Sequence, residues 1–355
     1  MKNRYTFLII FFLFVVFPYK QLLSQNGGSS TYEFLRLPNS ARIAAMGGDF
    51  LAINDNDITL ALANPSLITP QMNNHLGLSF VDYYSDVNYG FANYSRTFSK
   101  LGSYTGTIQF INYGKFTSSD ETGTPAGDFT AGEYNFNLGW GRQLDSTFSI
   151  GANFKAIYSD LQDYHSFGIA VDVAGTYNNS DRGLTVSLIG RNIGRQLKSY
   201  VAGNNEPLPF ELQLGMSQRL KHLPFRYSIL LNHLEKWDLT YDDPNDDTYT
   251  DPLTGKATNK GPFDKFGDKL MRHVVIGGEF IPSRYFSIRF GYNYQRRQEM
   301  KVESKLSTVG FSWGFGLRVS KFNFSYSRSA YHLAGSPNFI TITTNLADFA
   351  RKKSL

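Results

Sequence analysis

From about residue 75 to its end, this chain alternates large apolar residues with polar ones, and clusters of turn residues interrupt the pattern. Successive side chains on a strand point to opposite sides, so a two-residue period marks strands with two unlike faces. In "EYNFNLGWGR", Tyr134, Phe136, Leu138 and Trp140 share one face, and Glu133, Asn135 and Asn137 share the other. "FGIAVDVAGTY" sets Phe167, Ile169, Val171 and Val173 against Gly168, Ala170, Asp172 and Ala174. "STVGFSWGFGLRV" sets Val309, Phe311, Trp313, Phe315 and Leu317 against Thr308, Ser312 and Arg318. About fourteen such segments can be counted. They start near Leu76, Tyr89, Tyr104, Thr130, Phe148, Phe167, Leu184, Phe210, Phe225, Val274, Phe286, Leu306, Phe322 and Phe339.

Alternation suits both a soluble sandwich and a membrane barrel, and the connections separate them. Those after even-numbered segments are short: 99–101, 144–147, 178–182 and 282–284. Several after odd-numbered segments are long, notably 114–128, 193–208 and 235–270. Short turns on one side and long loops on the other characterise outer-membrane barrels, with the short side in the periplasm. The start of the chain agrees. "MKNRYTFLIIFFLFVVFPYKQLLSQNGG" has a basic beginning, an apolar run over Phe7–Phe17 and a polar exit. That is the layout of a signal peptide over 1–25, and the run is short for a membrane span.

The expected fold is therefore all-β, a transmembrane antiparallel barrel of about fourteen strands over 75–347, ending in a basic tail at 348–355. The even count suits closure, which removes sheet edges that lipid cannot satisfy. The 30 Phe and 22 Tyr fit a lipid-facing wall, and the lack of Cys is no obstacle to a closed barrel. Lys2, Arg4 and Lys20 lie in the signal segment, which takes the formal charge from +5 to +2, and no basic stripe for nucleic acid remains. The polar faces carry Glu133, Lys155, Asp172, Arg191, Glu211, Arg226, Glu279, Arg289 and Arg318. Charges of both signs predict paired groups bracing a filled lumen rather than an ion-selective pore. Arg328, on an apolar face, is assigned to the outer rim.

Residues 26–74 do not alternate. Ala41, Ala44 and Ala45 give a helical turn a small, flat face, and Gly47-Gly48 ends it. Asp57 is placed to cap a turn containing Ile58, Ala61 and Leu62, which Asn64-Pro65 stops. Small-faced turns with Ile58, Leu60 and Leu62 predict a compact plug inside the barrel. Within it Arg42 is expected to pair with Asp55 or Asp57 and with lumenal charges.

The stretch "SARIAAMGGDFLAINDNDITLALANPSLI" resembles the N-terminal signature of FadL-like outer-membrane barrels, with Arg42, the Gly47-Gly48 pair, the Asp55/Asp57 bend and Asn64-Pro65 in the matching places. Together with "LSFVDYYSDVNYGFANYSRTF", "GEYNFNLGWGRQLDS", "SLIGRNIGRQLK" and "NHLEKWDLTYDDP", it is similar to the PorV/PorQ family of the Bacteroidetes type IX secretion system. The resemblance implies a fourteen-stranded barrel with an N-terminal hatch. It also implies an attachment complex with PorU, PorV and PorZ homologues, in which secreted cargo is processed and joined to lipopolysaccharide. PorU-like subunits supply the catalysis there, and barrels of this kind anchor a PorZ-like surface protein.

Nothing in the sequence marks an enzyme or a cofactor. His75, His165, His222, His233, His273 and His332 are dispersed without metal-ligand spacing. "YDDPNDDTYTD" at 241–251 clusters hard oxygen ligands, but lacks the glycine and terminal glutamate of a calcium loop. The expected function is a non-enzymatic anchor. Trp237, Leu239 and Tyr241, leading into the longest outer loop, are the candidate partner contacts, and a lid over the barrel mouth is the competing use of that loop. A FadL-like channel for hydrophobic small molecules, opened by a strand kink at Gly106, and a PorV-like cargo shuttle are the alternatives.

Overall fold

A computed structural model describes residues 30–350 except 100, 121, 241–261, 301–306 and 333–334. The expected signal peptide, Tyr241, the acidic run 241–251 and the basic residues 351–353 lie outside the described residues.

Fourteen strands pair antiparallel with their sequence neighbours, and β1 closes the ring on β14. In chain order they are β1 (His75–Asp82), β2 (Asn88–Phe98), β3 (Gly102–Ser119), β4 (Pro125–Gln143), β5 (Phe148–Leu161), β6 (Tyr164–Asn179) and β7 (Leu184–Lys198). The second half contains β8 (Glu211–Arg219), β9 (Phe225–Leu231), β10 (Val274–Ser283), β11 (Phe286–Asn293), β12 (Phe311–Val319), β13 (Phe322–Ser329) and β14 (Asn338–Asn345). The seam runs in register from His75 opposite Asn345 to Asp82 opposite Asn338. Closure leaves no edge, so every strand finds both its neighbours.

The alternating pattern resolves into a wall with two surfaces. Leu78, Phe80, Phe136, Leu138, Phe154, Val173, Phe290 and Trp313 point outward and are exposed. Ser79, Asn93, Thr107, Gln109, Asn135, Asn153, Gln213 and Ser228 point inward and are buried. A wall apolar outside and polar inside is stable only with hydrocarbon around it. Arg328 lies opposite Trp313 and Asn338 near the end of β13, at the long-loop rim. Among the described residues no helix is long and apolar enough to cross a membrane.

Some boundaries differ from the sequence reading. The stretch 114–128 is not a loop: β3 runs to Ser119 and β4 begins at Pro125, with a register shift between Asn112 and Lys115. The pair continues as a tall hairpin, closed by a turn at Asp120 whose carboxylate accepts the amides of Thr122 and Thr124. Likewise β7 continues to Lys198 before its loop starts. β12 begins at Phe311, and Val309 precedes it as a buried turn residue rather than an outward one. Glycine at 310, with φ of 89°, turns the chain there and breaks the alternation that Val309 would have extended.

Residues 30–74 lie inside the barrel. They form α1 (Ala41–Ala45) and four short 3-10 turns, Glu33–Arg36, Ile58–Leu60, Pro65–Leu67 and Pro70–Met72. Ser40 caps α1 by accepting the Ile43 amide, and Asp57 caps the second 3-10 turn by accepting the Thr59 amide at 3.0 Å. Asn64 both ends one turn and begins the next, its Oδ1 accepting the Ser66 amide at 3.0 Å. Ile43, Met46, Phe50, Ile53, Leu60 and Leu67 pack together as an apolar centre within the segment.

Candidate functional site

An irregular chain inside a barrel carries backbone groups that no ladder satisfies, and at membrane depth these groups need protein partners. Short polar side chains on the inner wall serve them. Gln109 donates to the Phe34 carbonyl at 2.7 Å, Ser149 to that of Ser66 at 2.8 Å and Asn153 to that of Leu62 at 3.2 Å. Ser329 donates to the Ala44 carbonyl at 3.2 Å, and Thr341 accepts the Ala41 amide at 2.9 Å. Ser95 and Ser217 reach the carbonyls of Met72 and Ala52. Inner-wall glycines let the two backbones meet. A Cβ on Gly291 would fall 2.1 Å from the Gly47 nitrogen, and one on Gly151 would fall 2.3 Å from the Pro65 carbonyl carbon.

Charge joins the segment to the wall at Arg42. Its Nε and Nη2 hold the two Glu279 oxygens at 2.8 and 2.9 Å, and its Nη1 and Nη2 hold Asp55 at 2.9 and 2.5 Å. Nη1 also donates to Asp57 at 3.0 Å. From the wall, Arg226 donates to Asp55 at 3.0 Å and to Glu279 at 2.9 Å, while Arg289 donates to Glu279 at 2.8 Å. Three guanidiniums thus meet three carboxylates, and Glu279 is completely buried among them. Burial alone would raise the Asp55 carboxyl, but the guanidiniums of Arg42 and Arg226 hold it at about 2.

A second cluster lies in the wall at β5–β7. Lys155 pairs with Asp172 at 2.8 Å and donates to Asn192 at 2.7 Å. Asn192 was not singled out in the sequence. With φ of 56° at a register shift between β6 and β7, it turns inward next to Arg191 and gives its amide to Asp172 at 2.8 Å. An asparagine in a strand, where it also tolerates the left-handed region, was the available signal. Arg191 reaches Asp49 of the segment at 3.5 Å. Burial, with Glu211 nearby, pushes the Asp49 carboxyl up to about 6 against the pull of Arg191. Glu211 lies 3.6 Å from His233, and Glu133 accepts from Tyr113 at 2.5 Å. Arg318 differs from the other wall charges: it is exposed at the short-turn end, lining a cavity of about 580 Å³ beneath the Arg42 cluster.

The outer half is aromatic. Tyr32, Phe34, Leu35, Tyr89, Phe91 and Phe339 pack together there. Beside them a cavity of about 230 Å³ is bounded by Arg36, Asp49, Tyr83, Arg296 and Tyr331. Of the candidate partner contacts, Leu239 is only 4 % exposed and is not available to a partner, because the chain folds it inward next to Arg272. Trp237 is exposed and packs against Phe266 and His273. Among the described residues no group of three His, Asp or Glu is arranged to hold a metal.

The closed ring, apolar outer wall and polar inner wall decide the class. The chain has the fold of a Gram-negative outer-membrane barrel. No protein-family profile matches it, and no curated protein does. Among solved structures it is similar to the toluene transporter TodX of Pseudomonas putida, at 11% identity over 86% of this chain and 96% of that one, with a TM-score of 0.48. It is also similar to the monoaromatic hydrocarbon channel CymD, at 13% identity over 88% and 98%, TM-score 0.48. A FadL homologue of Pseudomonas aeruginosa aligns at 10% identity over 86% and 98%, TM-score 0.44. At such identities and TM-scores the likeness carries no argument about function.

Proposed function

We propose that the protein is a non-enzymatic outer-membrane anchor whose barrel is closed by its own N-terminal segment and whose work is done at its outer surface. The observation that carries this reading is the Arg42 cluster, in which Arg42 and Asp55 of the segment are held by Glu279 and Arg226 of the wall through charge-assisted hydrogen bonds. A segment that had to clear the lumen for transport would have to break them all. The resemblance to the PorV/PorQ family supports the finer reading. The barrel would hold a PorZ-like surface protein beside PorU and PorV homologues in a type IX attachment complex, where cargo is joined to lipopolysaccharide. Purification of the tagged, full-length protein from native membranes in mild detergent tests this. Co-recovery of those three proteins is expected, recovery with secreted cargo in their place would indicate a shuttle, and recovery of the barrel alone contradicts the anchor.

A second reading is a channel for hydrophobic small molecules. The aromatic packing in the outer half and the adjoining 230 Å³ cavity favour it. Two observations weigh against it. That cavity and the larger one near the short turns have no lining residue in common. Pairing also continues unbroken through Gly106 on both sides, so β3 has no kink there to open the wall. Uptake of a labelled fatty acid or toluene into vesicles holding the protein, above the rate of empty vesicles, would establish the channel.

A further inference from the structure

The helix α2 (Pro262–Arg272), between β9 and β10, has its faces the wrong way round for a helix packed on a protein. Phe263, Phe266 and Leu270 recur at three and four residues and make one stripe, with Met271 on its flank. Ordinarily such a stripe is buried. Here Phe263 is 86 % exposed and Phe266 is 52 % exposed, with Leu270 and Met271 exposed as well. The opposite, polar face holds the helix in place. Lys269 pairs with Asp238 at 2.5 Å, Arg272 reaches the Leu239 carbonyl at 3.5 Å, and Asp268 accepts from Tyr294 at 2.8 Å. The apolar stripe is therefore turned away from the barrel, not folded down over its mouth as a lid would be.

We propose that α2 is an interfacial helix that seats its Phe263–Phe266–Leu270 stripe, together with Trp237, in the lipid around the outer rim. Three observations select lipid as the occupant. First, α2 passes through His273 directly into β10, whose outward Ile276 belongs to the lipid-facing wall, so the helix starts at the rim of a surface that lipid already covers. Second, the stripe is as exposed as that wall, where Ile276 is 45 % and Phe290 is 56 % exposed. Third, Trp237 packs against Phe266 at 5.8 Å, and Lys265 and Lys269 lie on the polar side of the helix. Aromatics next to cations on an amphipathic helix suit an anionic membrane surface, where such helices sink about 5–10 Å. The seat would fix the height and tilt of the outer loops above the membrane, and it does not depend on which partner those loops hold.

Full-length protein with Trp140→Phe and Trp313→Phe leaves Trp237 as the reporter, since the sequence has three Trp. It is reconstituted into vesicles of phosphatidylcholine and phosphatidylglycerol containing lipid brominated near the glycerol end of the chain. Trp237 emission is expected to fall relative to unbrominated vesicles, because an interfacial helix places its apolar face at the headgroup/acyl boundary. Added Phe263→Ser and Phe266→Ser should restore the emission and open Trp237 to acrylamide, while heat-modifiable migration shows the barrel still folded. Equal emission in both kinds of vesicle overturns the proposal. So does a Phe263→Ser/Phe266→Ser protein that keeps full quenching. If instead quenching is absent and that variant loses a co-purifying surface protein, the stripe is a protein-docking face, and the lipid assignment is wrong.

Discussion

Replacing Arg42 with Ala removes five hydrogen bonds of 2.5–3.0 Å at once and leaves three carboxylates facing two guanidiniums. The losses are unequal. Glu279 keeps Arg226 and Arg289, and Asp55 keeps Arg226, but Asp57 keeps only its Thr59 cap. Breaking a buried ion pair from one side costs about 3–5 kcal/mol, and the two surviving arginines place this case at the lower end. A loss of about 3 kcal/mol raises the fraction of molecules with the segment unseated by about 150-fold. Amide hydrogen exchange followed by mass spectrometry reads that fraction, because buried amides exchange through local opening. Amides such as those of Ala44 and Gly48, bonded to Ser40 and Ile43, should lose protection by that factor, while strand amides keep theirs. Arg42→Lys, which keeps the charge but loses the forked geometry, should fall in between. Unchanged exchange over 41–68 in Arg42→Ala would refute the claim that this cluster holds the segment. Equal loss of protection in the strands would refute the claim that segment and wall are separable.

Other outcomes follow from the same contacts. Gly151→Ala and Gly291→Ala should each weaken seating by about 1–3 kcal/mol through overpacking, seen as faster exchange in residues 46–66. Asn64→Ala removes a cap and strips the Leu51 carbonyl of its 2.7 Å donor, so exchange across 51–68 should reflect a loss of about 2 kcal/mol. Lys155→Ala leaves the buried Asp172 without its cation and should lower the thermal midpoint of the barrel itself, measured by heat-modifiable migration. For pH, Asp55 sits at about 2, below its ordinary 3.8, so its contribution is present above pH ~4 and is lost as pH falls through about 2. Asp49, raised to about 6, acts in the opposite sense: its protonated form favours seating, and that gain fades as pH rises from about 4 through about 6. Asp49→Asn should flatten the pH dependence of exchange between 4 and 6 and leave the acid limb in place.

Much of the barrel was legible because its signal is periodic and repeated. Outward Phe136 or Val173 and inward Asn137 or Asp172 each follow from their neighbours' spacing, and closure follows from an even count with short turns on one side. What escaped was where the period itself fails. Residues 114–128 looked like a loop because small and polar residues there hide a hairpin, in which β3 and β4 stay paired from Lys115 to Ser119. Val309 looked like a wall residue because nothing in its spacing shows that Gly310 turns the chain. The pairing of Arg42 with Asp55 and Asp57 was legible because one cation and two acids share a short segment. Glu279 as its wall partner was only one of four candidate acids, with Glu133, Asp172 and Glu211, since register across the lumen depends on the fold. Leu239 was misjudged for a related reason: a leucine beside an exposed tryptophan reads as surface until the loop is seen to fold inward. The outward stripe of α2 has a plain helical period, but sequence cannot say which way such a face points.

If residues 30–74 close the lumen, the barrel does not conduct ions while they are in place, and ion permeability reads that closure. In planar bilayers the full-length protein should show no steady conductance. The same barrel lacking residues 30–74 should open a stable pore, because the inner wall is polar and would fill with water once the segment is gone. Steady conductance from the intact protein, matching that of the truncated one, would contradict that closure.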